Sequence, residues 1–296
     1  MHHVLTLMAP AGALPAPLIP HIRAAMIALG AQVGSPDWLA PAEAVDLPFE
    51  GLAPEQANAA ARAVLEEAPV DSIAQPAEGR RKKLLIADMD STIVTSETLD
   101  ELAAYAGLKD RIAEITRRSM NGEIEFSAAL RERVGMLKGL ALSALEATWQ
   151  QTHLMPGARS LVQTMAKHGA HCALASGGFT WFTSRVAEQV GFHSHYANIL
   201  LDDGSSLTGA VAEPIFDRDA KLTTLKQLCA QLHLPLSASI AVGDGANDLA
   251  MLKAAGLGIA FRAKPIVAAE ARAKVDHADL RALLFAQGYR AADIVD

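Results

Sequence analysis

Hydrophobic and polar positions divide the chain into two textures. From residue 84 onward, short apolar runs alternate with stretches of helical spacing. The runs over 84–87, 171–175, 238–242 and 258–261 are apolar at nearly every position rather than at every second one, the pattern of strands covered on both faces, and a short further strand is expected near 275–277. Strands of that kind separated by helices predict an α/β architecture, a doubly wound and mostly parallel sheet. Between the first two runs, residues 96–154 contain no β-rich stretch and are too long for one crossover. They read as a helical cap inserted after the first strand. Met155-Pro156-Gly157 marks the return, with the proline suited to the first turn of a new helix.

The first 80 residues are rich in Ala and Pro and hold no cluster of polar residues that could do chemistry. A strand over 4–8, a helix over 18–29 with Gly30 near its cap, strands over 32–39 and 42–47, a helix from Pro54 to about residue 67 and a strand over 70–74 follow in order. The order β-α-β-β-α-β predicts a ferredoxin-like α+β module, which resembles the amino-acid-binding modules called ACT domains. No motif inside it specifies a ligand. Gln75-Pro76-Ala77-Glu78-Gly79 reads as a linker. The expected organisation is an ACT-like domain over 1–80 and a second domain over 81–296 carrying the cap.

Composition narrows the classes of function. With 51% hydrophobic and 20% charged residues the chain has the balance of a water-soluble globular protein. Its net charge of −7 excludes general attraction to nucleic acid or anionic membrane, so an anionic ligand needs a built site. Cys172 and Cys229 lack disulfide or zinc spacing and read as reduced, buried thiols. No leader or apolar run of spanning length is recognised, and a cytoplasmic location is expected. His2 and His3 read as solvated terminal residues. His193-Ser194-His195 reads as part of a polar connection rather than a metal pair, and Trp38, Trp149 and Trp181 as packing residues.

The chemistry collects behind the apolar runs. Asp88-Met89-Asp90-Ser91-Thr92 follows the first strand, placing two carboxylates two residues apart where open α/β sheets bind ligands. Ser176-Gly177-Gly178 follows the second, where glycines let backbone approach a phosphate and the hydroxyl donates to it. Gly243-Asp244-Gly245-Ala246-Asn247-Asp248 follows the third, and its acids are costly to bury without a cation. Mg2+ takes one or two carboxylates together with substrate phosphate. A parallel sheet brings the three segments to one edge, which suits phosphoryl transfer. Asp88 is then the candidate nucleophile, and Asp90 the acid/base that protonates the leaving alcohol and later activates water. Ser91 and Thr92 are expected to fix the turn through side-chain to backbone bonds.

Asp88-x-Asp90-x-Thr92, Ser176-Gly177-Gly178, Lys221 and Gly243-Asp244-Gly245-x-Asn247-Asp248 together resemble the four motifs of the haloacid dehalogenase-like hydrolases, over about residues 83–290. The resemblance implies that Asp88, Asp90 through its main-chain carbonyl, and Asp244 hold Mg2+. It also implies that Lys221 and Asn247 contact phosphate with Ser176 and Gly177, and that Asp248 supports the metal's water shell. Glu97, Phe126 and Arg133 are similar to residues of the members acting on O-phosphoserine in the last step of serine biosynthesis. Glu97 would accept the substrate ammonium and Arg133 fork its carboxylate, while Phe126 and Met120 wall the site against water. The expected partner is that small phosphate ester; a homodimer, other phosphate esters, phosphotransfer and a purely regulatory role for the chain are left open.

Overall fold

A computed structural model describes residues 1–295. The N-terminal module runs β1 (His3–Met8), α1 (Leu18–Ala28), β2 (Gln32–Val33), β3 (Asp37–Ala40), β4 (Ala44–Glu50), α2 (Pro54–Leu65) and β5 (Asp71–Pro76). Its sheet is antiparallel in the order β2-β4-β1-β5, with β3 also paired to β4. The order is ferredoxin-like, as expected. β2 and β3 are the two halves of the predicted strand over 32–39, interrupted at Gly34-Ser35-Pro36, where proline offers no ladder donor. Gln75 and Pro76 belong to β5, not to a linker. His3 is a strand residue stacked on Phe49 at 5.4 Å rather than a solvated terminal one, and Trp38 is 37% exposed rather than packed.

The second part begins with β6 (Leu84–Ala87), followed by the cap helices α3 (Thr98–Ala104), α4 (Lys109–Met120), α5 (Phe126–Gly135) and α6 (Ser143–Gln150). Then come α7 (Ala158–Lys167), β7 (His171–Phe179), α8 (Thr180–Val190), β8 (Ser194–Asn198), β9 (Leu200–Asp202), β10 (Leu207–Val211), α9 (Arg218–Gln231), β11 (Ser239–Gly243), α10 (Leu249–Ala254), β12 (Leu257–Phe261), α11 (Pro265–Glu270), β13 (Ala273–Val275) and α12 (Ala282–Ala286). Six strands form one sheet in the order β13-β12-β11-β6-β7-β8, every pairing parallel. From β6 the chain moves outward to β7 and β8, then returns to β11 on the other side of β6. The order therefore reverses between β6 and β11, and the crevice at their carboxyl ends is the place where such sheets bind ligands.

Two elements differ from the sequence expectation. β8 is an edge strand written Ser-His-Tyr-Ala-Asn, with no apolar run to betray it. His193 and His195 thus sit at a strand rather than in a polar connection: Cys172 N–H donates to His193 Nδ1 at 3.0 Å, and His195 Nδ1 shares a 2.9 Å bond with Thr183. The hairpin β9-β10, turned by backbone N–H groups donating to Asp203, packs on the cap, where Gly139 and Leu207 bond across to Leu207 and Leu140 carbonyls. The cap is accordingly four helices plus a hairpin contributed from beyond β8. An antiparallel bridge between Val94 and Leu154 joins the two chain segments at its neck.

The N-terminal module is docked on the sheet rather than hung from a tether. Met8, Leu39, Ala40, Ala44 and Ile73 share an apolar cluster with Phe285 and Tyr289. The buried Asp71 carboxylate accepts backbone N–H bonds from Asp276, His277 and Ala278 at 2.8–3.4 Å. Asp71→Ala leaves those donors unpaired at a buried seam and is expected to cost about 3 kcal/mol. Urea unfolding checks this; an unchanged midpoint would show that the seam holds without the carboxylate.

Candidate active site

β6 is fully buried along its length, and the chain leaving it delivers Asp88 into the crevice with only 6% of its surface exposed. A carboxylate there is costly without partners. Its Oδ1 accepts from Met89 N–H at 2.8 Å and lies 2.9 Å from Lys221 Nζ. Lys221, on the first turn of α9, is completely buried, and its ammonium also donates to Asp248 Oδ1 at 2.7 Å. Asp248 Oδ2 accepts from Gly245 N–H at 3.1 Å, which ties the segment after β11 to the same lysine.

Thr92 Oγ1 donates to Asp244 Oδ1 at 3.3 Å, and Lys264 Nζ lies 3.7 Å from Asp244 Oδ2. Ser91, at φ +56°, donates its hydroxyl to Glu97 Oε1 at 2.7 Å. Both hydroxyls therefore hold acidic side chains, not the turn backbone as the sequence suggested. Asp90 Oδ1 accepts from Thr98 N–H at 2.9 Å, at the start of α3 where the helix dipole favours negative charge.

Burial and like charge dominate the electrostatics. Desolvation, with Asp248 and Asp244 nearby, pushes Asp88 well above the usual carboxylate range. Burial with Glu97 and Asp248 raises Asp244 to about 8, and burial with Glu97 raises Asp90 to about 7. Against its own desolvation, Lys221 is held above its ordinary value by Asp248 and Asp88. Asp88, Asp244 and Asp248 present carboxylate oxygens within 4.8 Å of one another. These three carboxylates face the ammonium groups of Lys221 and Lys264, so one negative charge is left uncompensated when all are ionised, which favours a cation. The Asp90 side chain stands outside this cluster.

The backbone has to come close here. A Cβ on Gly177 would lie 2.7 Å from Phe126 Cζ, one on Gly178 2.8 Å from Asp90 Oδ2, and one on Gly245 2.9 Å from Met120 Sδ. The cap residues Phe126 and Met120 thus close directly onto the glycines of the sheet edge. β7 continues through Ser176-Gly177-Gly178 to Phe179 instead of stopping at Ala175, with its register to β8 disturbed over this stretch. Gly178 N–H donates to Ser176 Oγ at 2.9 Å. Asn198, at the end of β8, donates to Gly177 O at 2.9 Å.

Most of these residues line one small pocket. Asp88, Asp90, Asp244, Asn247, Ser176 and Gly177 form its floor, and Glu97, Met120, Phe126 and Arg133 its cap side. Lys221, Asp248 and Thr92 lie beneath, reaching it through Asp88 and Asp244. Asn247 Oδ1 is buried with no protein partner among the described residues. Arg133, 3% exposed, spends Nε on Ala129 O at 3.2 Å and Nη1 on Thr116 Oγ1 at 2.9 Å, leaving Nη2 without an acceptor among the described residues.

Sequence reasoning did not find Lys264, Asp100, Thr116 or Asn198. Lys264 lies three residues past the end of β12, so the rule that strand ends carry the chemistry could have found it. The others act through neighbours and leave no local signature.

A family model for the haloacid dehalogenase-like hydrolases matches residues 85–253. The chain belongs to that family. It is 39% identical over 251 residues to a phosphoserine phosphatase of Streptomyces coelicolor, covering 84% of this chain and 61% of that one. It is 42% identical over 215 residues to the phosphoserine phosphatase of Streptococcus thermophilus, covering 73% and 96%. The chain spans little more than half the length of the longer relatives, 53% of one from Mycobacterium tuberculosis. Among solved structures, a phospho-aspartyl intermediate analogue of a phosphoserine phosphatase superposes with TM-score 0.67 at 36% identity, covering 69% of this chain and 98% of that one. A family hydrolase from Salmonella enterica serovar Typhi superposes with TM-score 0.84 at 27% identity over 96% and 98% of the two chains. That second match extends across the N-terminal module as well as the sheet.

Lys221→Met removes the cation between two buried carboxylates. It is expected to destabilise the protein by about 3–5 kcal/mol, with part of the loss restored by a divalent cation that binds the folded state. Urea unfolding with and without added Mg2+ measures both effects. A midpoint equal to that of the unaltered protein would contradict the central place given to the lysine.

Proposed function

We propose that the chain hydrolyses O-phosphoserine to serine and phosphate, dependent on Mg2+, as the last step of serine biosynthesis. The observation that carries the reading is the buried guanidinium of Arg133, its Nη2 without an acceptor among the described residues, lining the same small pocket as Asp88. A buried cation with an unused planar donor suits a carboxylate, and Glu97 on the same wall suits the ammonium of an amino acid. The phosphate goes to the opposite end, against Ser176, Gly177 and Asn247, with the Lys221 charge beneath it behind Asp88.

In this reading an Asp88 carboxylate oxygen attacks phosphorus in line, and the bond from phosphorus to the serine oxygen breaks as the aspartyl-phosphate forms. Asp90 gives its proton to the departing serine oxygen. It then takes a proton from a water molecule whose oxygen attacks the same phosphorus, freeing phosphate and restoring the Asp88 carboxylate. Asp88, the Asp90 main-chain carbonyl and Asp244 would hold Mg2+, whose charge offsets that of the phosphate oxygens. Lys221 keeps Asp88 oriented and shares that load. Phe126 and Met120, closed on Gly177 and Gly245, keep bulk water from the phosphoenzyme.

Phosphate release from O-phosphoserine is expected with Mg2+ and to be abolished by EDTA. Asp88→Asn should lower it by about 10³-fold or more. Arg133→Ala should lower kcat/KM for phosphoserine by about 10–100-fold, while phosphoethanolamine, which lacks the carboxylate, changes only a few-fold. Undiminished turnover by Asp88→Asn would overturn the mechanism, and equal losses on both esters would overturn the assignment of Arg133.

A further inference from the structure

Behind Arg133 three cap helices meet in a buried polar chain. Asp100 on α3 is 9% exposed, Thr116 on α4 is 3% exposed and Arg133 on α5 is 3% exposed. Thr116 Oγ1 donates to Asp100 Oδ1 at 2.6 Å and accepts from Arg133 Nη1 at 2.9 Å. The Thr116 hydroxyl also approaches its own Ile112 carbonyl, at 3.1 Å, but the ionised carboxylate is the shorter and stronger acceptor. With its proton committed to Asp100, the hydroxyl turns a lone pair to the guanidinium. Neither Asp100 nor Thr116 lines the pocket.

The geometry points to Asp100 and Thr116 as positioning residues that set substrate selectivity: Asp100, acting through the Thr116 hydroxyl, aims the guanidinium that receives the substrate carboxylate. This rests on the reading of Arg133 given above. A guanidinium held only by Ala129 O through Nε can still swing about that bond, and a second anchor on Nη1 fixes the plane. The hydroxyl is the only acceptor that Nη1 has among the described residues. A carboxylate in direct contact would fix Arg133 as well, but it would neutralise the charge the substrate needs. One hydroxyl between them transmits orientation while keeping Asp100 a step away.

The test compares O-phosphoserine with phosphoethanolamine in Thr116→Val, which is close in shape but has no hydroxyl, and in Thr116→Ser, which keeps it. For Thr116→Val the expected result is a KM for phosphoserine raised about 3–10-fold, kcat nearly unchanged, and phosphoethanolamine kinetics within about twofold of the unaltered protein. Thr116→Ser should restore the preference for phosphoserine, and Asp100→Asn should fall between the two. Retained preference in Thr116→Val would overturn the inference, as would an equal loss in Thr116→Ser, which would assign the effect to packing of the methyl group. If the unaltered protein itself shows no preference for phosphoserine, the reading of Arg133 fails first, a result distinguishable from either.

Discussion

The structure depends on one electrostatic constraint, the burial of Asp88, Asp244 and Asp248 within 4.8 Å of one another around the Lys221 ammonium. Such a cluster repels itself, and low polarity at a strand's end magnifies the repulsion. Lys221 offsets part of it, and burial, with the repulsion that remains, holds Asp88 and Asp244 above the usual carboxylate range. A site with unspent negative charge is a site prepared for a cation and its ligand. The parallel sheet makes this affordable, because β6, β7 and β11 are adjacent and fix three loops without help from the site itself.

Steric demands follow from the same crowding. Gly243 has the Asp248 carboxylate packed where a Cβ would stand, and Gly178 has Asp90 and Ser176. These glycines do not adopt the left-handed region; they are small because the acids are near. Charge compensation and small side chains at the sheet edge are therefore one design with two expressions. The cap exploits it, since Phe126 and Met120 reach the floor only where no side chain rises to meet them.

The sequence disclosed what is written in contiguous residues. Leu84-Leu85-Ile86-Ala87 is apolar at every position because β6 is covered on both faces, and that alone put Asp88 at a strand's end. Lys221 was legible only through the family's motif, since one lysine on a helix resembles any other until burial is known. β8 was illegible because an edge strand needs no continuous apolar run, and His195 and Tyr196 in it are only half-buried. The hydroxyls of Ser91, Thr92 and Thr116 escaped for a different reason. Their partners Glu97, Asp244, Asp100 and Arg133 are set by tertiary packing, while local rules for Ser and Thr point to the backbone.

The cap's choice of arginine at 133 follows from how many tasks a single side chain performs there. It must be buried to exclude water, anchored to be aimed, and still present a donor to the pocket. A guanidinium separates these tasks among three nitrogens, with Nε on Ala129 O, Nη1 on Thr116 and Nη2 left over. A lysine has its three donors on one atom, so anchoring the ammonium to the same acceptors would pull it out of the pocket it should serve. Lys221 shows the opposite case. Its task is to hold two oxygens, on Asp88 and Asp248, around a single point, and a compact ammonium meets that geometry where a planar fork would not fit between them. The two buried cations differ because one presents a direction and the other a centre of charge.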